Sequence, residues 1–353
     1  MASLDYQVVV LGAGPAGARC AELLARGGLS VLLLDAGSGR RAKLCGGLLN
    51  TRAQSLLPDS PPAQLLAEEQ PQMLHLFDLD NMPRDTAYAY NPHYLNIDRG
   101  GFDAWLKQRA QQAGAQLLND TRVLELRQAA AGTEVVTAAA IYCAQHVIDA
   151  SGSAALSRRL AGHSPPPMLH CLQAEVDFRC AWPVHHVFYA QPFAPFFAWA
   201  IPKTARRWLL GMAAVPPLRQ PAYQLVQPLL EQLEYCEIIC VGSVYGARLT
   251  ALNSLADLWY GGGRLWAIGE AAGLVSPFSG EGISRALLSA QLVAEAILEG
   301  RSPRDAALVL RPALAGLGSA CLRAGIAADP RLRQLALHGW AKWVGARIMR
   351  FAM

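Results

Sequence analysis

The stretch Val8-Val9-Val10-Leu11-Gly12-Ala13-Gly14-Pro15-Ala16-Gly17 decides the fold. Its continuous apolar run reads as a strand buried on both faces, the mark of a parallel sheet covered by helices. Three glycines follow at G-x-G-x-x-G spacing, and a helical pattern continues through Ala25. Gly12 permits a tight turn, Gly14 lets backbone approach a pyrophosphate, and Gly17 lets the helix lie close to the strand. Ala16 sits in the first turn of that helix, whose free N–H groups and positive dipole end suit phosphate. A second apolar strand, Val31-Leu32-Leu33-Leu34, ends in Asp35. A carboxylate placed about 20 residues past such glycines accepts hydrogen bonds from a ribose. Strand, turn, helix, strand and terminal acid together predict a Rossmann-type α/β domain that binds a dinucleotide. The acid at Asp35 fits FAD or NAD, because a 2′-phosphate calls for a basic residue there.

Two distant segments choose between them. Val147-Ile148-Asp149-Ala150-Ser151-Gly152 reads as another buried strand, ending in a small-residue turn that lets backbone approach a cofactor. Leu265-Trp266-Ala267-Ile268 is a further apolar strand, followed by Gly269-Glu270-Ala271-Ala272-Gly273, Pro277 and Gly280-Glu281-Gly282-Ile283, which opens a helix to about Leu298. This arrangement resembles the second FAD fingerprint of the glutathione-reductase-like flavoproteins. The resemblance implies that Glu270 binds the ribityl chain, where aspartate is more usual, and that the helix after Gly282 points its positive end at the flavin pyrimidine. FAD is therefore the expected cofactor. The cofactor-binding set is Gly12, Gly14, Ala16, Gly17, Asp35, Arg99, Val123, Ser151, Gly152, Gly269, Glu270, Gly280, Gly282 and Ile283.

Three more segments sharpen the resemblance: Lys43-Leu44-Cys45-Gly46-Gly47-Leu48-Leu49, Arg99-Gly100-Gly101-Phe102-Asp103-Ala104-Trp105-Leu106 and Phe197-Ala198-Trp199-Ala200-Ile201-Pro202. They resemble the Cys-Gly-Gly, Arg-x-x-Phe-Asp-x-Trp-Leu and Tyr-x-Trp-x-Phe-Pro segments of the geranylgeranyl reductase-like flavoproteins, and look most like the bacterial CbrA-type branch. Phe197 and Ile201 depart from that pattern, as does Ala194, which stands where a proline is common. The resemblance implies hydride transfer from reduced FAD to a C=C bond of an apolar, isoprenoid-like substrate. It places Cys45, Gly46 and Gly47 beside the ring as the catalytic segment. Phe188, Phe197, Trp199 and Pro277 are the expected substrate wall, although such aromatics equally suit a sheet core. Two other readings stand beside this one. A monooxygenase, either hydroxylase or halogenase-like, uses the same fold, and a flavin-bearing membrane-associated protein would act through partners. No second G-x-G-x-x-G follows a strand, so electrons are expected from transient NAD(P)H or from an electron-donor protein.

Composition bounds the rest. Among 353 residues, 52% are hydrophobic and 16% charged, which suits a buried core and not a disordered chain. A net charge of +4 is too small to point to nucleic acid. The eight scattered cysteines lack a zinc spacing and read as reduced thiols, which with the absence of a basic leader leads to a cytoplasmic expectation. His170, His185 and His186 lie in strand-like runs and read as structural. The expected FAD domain is discontinuous, comprising 1–55, 93–160 and 260–300. Residues 56–92 and 161–259 form a cap with an inserted antiparallel sheet and a helix around Tyr223 to Leu233. The tail 301–353 reads as helical, with Asp329-Pro330 as a helix start. It carries nine basic residues against Asp305 and Asp329, interleaved with Leu332, Leu335, Trp340, Trp343, Val344, Ile348 and Phe351. That pattern suits packing on the body of the protein, or peripheral contact with the inner face of a membrane.

Overall fold

Tyr6–Leu11 lies at the centre of the first sheet because Val8, Val9, Val10 and Leu11 are sealed from water. The computed structural model describes residues 5–37, 44–83, 86–180, 183–194, 196–215 and 236–350. The central strand runs parallel to Val31–Leu34 on one side and Ile141–Asp149 on the other. Gln116–Leu118 and Leu265–Ala267 widen the parallel layer at either end. Parallel neighbours need crossovers, which the helices Pro15–Arg26 and Arg99–Gln112 provide. Val123–Gln128 and Thr133–Thr137 form an antiparallel pair attached to Ile141–Asp149.

Helix Pro15–Arg26 packs against Ile283–Leu298, bringing Ala18, Ala21 and Leu24 into one cluster with Leu287, Ala290, Val293 and Ala294. The alanines let the helices approach, and each fully buried leucine contributes about 1.5–3 kcal/mol. The amino-terminal fingerprint and the late Gly269–Ile283 segment thereby reach the same end of the sheet. The α/β fold is as the sequence predicts.

A second sheet of eight strands roofs the first. Its order is Cys236–Thr250, Met168–Cys180, Arg207–Ala214, Ala198–Pro202, His185–Tyr189, Leu74–Asp78, Thr86–Tyr90 and Arg347–Arg350. All its joins are antiparallel except His185–Tyr189 with Leu74–Asp78, two strands that come from separate segments. The register sets two faces. Gln173, Gly211, Trp199, Val187, Leu76 and Tyr88 align across the strands. Leu172, Met212, Ala198, Phe188 and Phe77 align on the opposite face. The first face looks toward the dinucleotide domain, where Ile201 meets Gly46 and Phe196 meets Gly280.

The tail differs from the expected all-helical segment at its end. Asp329 caps helix Pro330–Trp343 as predicted, accepting from the Arg331 and Leu332 amides at 2.8 and 3.0 Å. Gly345 then turns with φ +67°, and Arg347–Arg350 returns as an edge strand on Thr86–Tyr90. Arg333 pins the helix to the roof by pairing with Asp78 at 2.9 Å, both side chains only 1% exposed. The helix expected near Tyr223, together with Lys43 and Phe351, lies outside the described residues. The reduced-thiol expectation holds for Cys20, Cys45, Cys143, Cys171 and Cys321, whereas Cys180 is disulfide-bonded.

Candidate flavin site

The cradle is made of missing side chains. A Cβ at Gly17 would stand 1.9 Å from the Gly12 carbonyl oxygen, and one at Gly12 would stand 2.5 Å from that of Ala150. Gly12 also has φ +101°, which L side chains rarely adopt. Helix Pro15–Arg26 starts after Gly14, and Ile283–Leu298 starts after Gly282, neither with a side-chain cap. Each leaves first-turn amides, including those of Ala16, Gly17 and Ile283, for a ligand instead of for its own chain. This pair of helix starts, each uncapped by a side chain and preceded by glycine, fits the phosphates and ring of a flavin dinucleotide.

The polar groups of the expected set take up definite positions around this cradle. The Asp35 carboxylate ends its strand, accepts from the Gly37 amide at 3.3 Å and pairs with Lys107. Ser151 and Gly152 form the turn after Ile141–Asp149, held by Asp149, which accepts from the Ser151 amide at 2.9 Å. Glu270 lies across from that turn, with Oε2 3.5 Å from a Cβ position at Gly152. Its Oε1 accepts from the Thr250 amide at 3.0 Å. Gly269, which precedes it, takes φ +57°, and Gly280, against Phe196, takes φ +65°. Val123 is different: its side chain is buried in a core cluster with Val9, Leu11 and Leu34, and it pairs with Thr137 in the antiparallel ladder.

The Cys45-Gly46-Gly47 turn joins cradle and roof. A Cβ at Gly46 would meet Ile201 at 2.5 Å, and one at Gly47 would meet the Ile97 carbonyl oxygen at 2.4 Å. Cys45 Sγ accepts from the Gly47 amide at 3.4 Å. Arg99 hydrogen-bonds Cys45 and grips Asp103 with Nε at 2.8 Å. Burial works against the Arg99 charge, but Asp103 and Cys45 overturn that and raise its pKa. The sequence places Arg99 on the cofactor; the structure brings it to the cysteine turn.

Lys203 is one residue that sequence reasoning missed. Only 7% exposed, it donates to the Gly46 carbonyl at 2.7 Å, the Ile97 carbonyl at 3.0 Å and Asn96 Oδ1. Burial pushes its pKa down to about 8, with Cys45 opposing the shift and Arg207 adding to it. A lysine just beyond Ile201-Pro202 reads as a surface cation, and nothing in its neighbours signals the three oxygens that converge on it. Asn50 was missed for the same reason. It caps a short helix and also donates to Glu281, tying the cysteine turn's exit to the loop before Ile283.

The apolar wall contains Phe197 and Trp199, with Pro277 buried in the loop nearby. Phe197 stacks on Phe196 with centroids 4.3 Å apart and stands 5.4 Å from Tyr189. Phe188 does not join them. It stacks on Phe77 at 5.2 Å on the far face of the roof, because successive strand residues point to opposite sides and Val187 and Tyr189 take the near one. His185 lies on the near face, its pKa pushed down to about 3 by burial and then Lys203, so it is neutral at physiological pH. His186 packs on the far face against Trp208.

Comparison with known proteins bears on the fold and on the cofactor. Residues 7–164 match the family described as FAD dependent oxidoreductase, which supports FAD as cofactor and an oxidoreductase activity. The chain is 26% identical over 320 residues to Protein CbrA of Escherichia coli O9:H4 (strain HS), covering 86% of this chain and 84% of that one. It is 28% identical over 327 residues to a geranylgeranyl diphosphate reductase of Rhodobacter capsulatus, covering 86% and 78%. A menaquinone reductase of Mycolicibacterium smegmatis is 26% identical over 315 residues, covering 83% and 76%. Among solved structures, a geranylgeranyl bacteriochlorophyll reductase-like protein from Thermoplasma acidophilum superposes with TM-score 0.77 at 19% identity, covering 92% and 86%. The halogenase PltM, in complex with phloroglucinol and FAD, gives TM-score 0.72 at 16% identity, covering 96% and 82%. These structures share the fold.

Proposed function

We propose that this protein is an FAD-dependent reductase of C=C bonds in an apolar, isoprenoid-like substrate. The observation that carries the reading is the Cys45–Gly47 turn. It opens between a backbone-lined dinucleotide cradle and an apolar wall of Ile201, Trp199 and Phe197. Two of the relatives bear reductase names, which favours this chemistry over the oxygen chemistry of the halogenase that shares the fold.

Reduced FAD would supply the hydride, ending oxidised as one carbon of the double bond gains that hydride and the other a proton. The chain's own residues do the rest. Gly12, Gly14, Ala16 and Gly17 admit the pyrophosphate, and Asp35 takes the ribose. Glu270 and the start of helix Ile283–Leu298 hold the ribityl and ring end. Cys45 orients substrate or donates the proton, held in place by Arg99 and Lys203. Phe197, Trp199 and Pro277 exclude water from the reacting bond, which lets an unactivated alkene sit against the ring without a competing solvent reaction. NAD(P)H or an electron-donor protein returns the electrons. Such a substrate partitions into lipid, so the reading carries a protein working peripherally at a membrane.

The test is anaerobic photoreduction of the purified flavoprotein, then rapid mixing with geranylgeranyl or longer polyprenyl lipids in detergent. Reoxidation without oxygen, with a saturated product by mass spectrometry, is the expected result. Inertness to lipid, with an oxygenated product formed only in air, would replace the reductase reading with a monooxygenase.

A further inference from the structure

We propose that the outer face of helix Pro330–Trp343, with the adjoining edge strand Arg347–Arg350, docks on an anionic lipid surface. The proposal rests on the peripheral-membrane reading above and turns a location into a named surface.

The helix has two distinct sides. Arg333, Leu337 and Ala341 are buried against the roof. Away from them, Leu332, Leu335 and Trp343 stand 50%, 72% and 84% exposed. With Ala336 and Gly339, both also exposed, they follow i, i+3, i+4, i+7, i+11 spacing and so form one stripe along the helix. Exposed Arg331 and Lys342 border the stripe, and exposed Arg347 and Ile348 follow on the edge strand. A bare apolar stripe edged by cations and anchored by a tryptophan is the pattern of a helix lying in the headgroup plane.

Charge selects the occupant. From Arg301 onward the chain carries nine basic residues and two acidic ones, while the remainder has 22 basic and 25 acidic. A second copy meeting this face about a two-fold axis would set the same patch, Arg331 and Lys342 included, against itself. An anionic bilayer complements both the stripe and its rim. Lying on the surface also suits the helices available. No single described helix is long and apolar enough to cross a membrane; Pro303–Val309 and Arg311–Ala328 pass that test only together, as a pair bent by 43°.

The inner side of the same helix explains why docking belongs here. Trp340 meets Tyr90 edge-on at 4.8 Å, in a cluster that extends through Tyr94 to Phe197. One helix thus separates the lipid-facing stripe from the apolar wall beside the cysteine turn.

The experiment is flotation of the full-length protein with phosphatidylglycerol-containing vesicles and with pure phosphatidylcholine vesicles. The wild type is expected to float with the anionic vesicles and to be released by high salt. Leu335→Gln with Trp343→Ser should weaken partitioning by about tenfold or more. Lys342→Glu with Arg347→Glu should do the same on anionic vesicles. All four side chains are exposed, so both variants should keep the wild-type melting temperature, which controls for misfolding. Failure of the wild type to float, or unchanged flotation of the Leu335/Trp343 variant, would overturn the proposal. A concentration-dependent dimer that this variant dissolves would assign the face to a second copy instead. Flotation needs no flavin turnover, so this proposal and the reductase reading fail separately.

Discussion

The dinucleotide cradle and the roof sheet meet at the Cys45–Gly47 turn, and they are built by opposite rules. In the cradle, function follows from what is absent: at Gly12 and Gly17 any Cβ would strike backbone oxygen. In the roof, function follows from large side chains and from the face each occupies. Trp199 lies directly over Gly211, where an added Cβ would come within 2.4 Å of the indole. Recognition by main chain demands particular residues at particular spacings. A pocket wall on a sheet demands only parity, which one residue of offset reverses.

The sharpest way to break this contrast is Gly17→Val. Its side chain would collide with the Gly12 carbonyl, so the purified protein should be colourless, with flavin binding weakened by roughly a hundredfold or more as judged by the ratio of flavin to protein absorbance. A yellow Gly17→Val protein would show that the cradle tolerates side chains after all. Next in size is Arg333→Ala. Stripping one partner from a buried ion pair costs about 3–5 kcal/mol. Denaturant unfolding should register that loss, while flavin content at low temperature stays unchanged, since the damage lies in the roof and tail.

Phe188 and Phe197 test the parity rule itself. Phe188→Ala should cost about 3 kcal/mol or more of stability through the cavity it leaves, without altering KM for an apolar substrate. Phe197→Ala should raise KM with a smaller loss of stability. If Phe188→Ala moved KM and Phe197→Ala did not, the assignment of faces would be wrong.

Two smaller effects depend on pH. Lys203 has a pKa of about 8 in the folded protein, against the ordinary 10.5. Below pH 8 it is charged in both states, and folding bears the full cost of burying that charge. Between the two values the unfolded chain binds more protons, so stability rises with pH. Thermal melts should show this rise in the wild type, and Lys203→Met should lack it. His185 works in the acid range, with a folded value of about 3 against 6.5. It stays neutral in the folded protein while the unfolded chain takes up a proton below pH 6.5, so stability is lost as pH falls from 6.5 toward 3. His185→Asn should make that decline shallower, and an unchanged slope would move the acid sensitivity to other groups, such as His75, whose pKa burial pushes down to about 4.

What the sequence reveals follows the same division. The order of buried strands, the glycine spacing and the capped start at Asp329 were all legible, because each is a local backbone requirement with few residues able to meet it. Phe188 was misplaced because composition marks it as apolar without fixing the register of His185–Tyr189. Lys203 was hidden because the three oxygens that hold it come from Gly46, Asn96 and Ile97, far away along the chain. The strand at Arg347–Arg350 was hidden because its partner, Thr86–Tyr90, belongs to a segment that the sequence marks only as a polar cap.

The central sheet places Leu265–Ala267 beside Ile141–Asp149, which in turn adjoins Tyr6–Leu11. The two halves of the cradle are therefore far apart along the chain, and the half that carries Gly12 and Gly17 leaves the ribosome well before the other. A nascent protein holds Gly12 and Gly17 in waiting, but cannot close the site until Ile283–Leu298 has emerged. Prematurely terminated chains should then never carry the cofactor, and colour in a preparation would count only molecules synthesised past that helix.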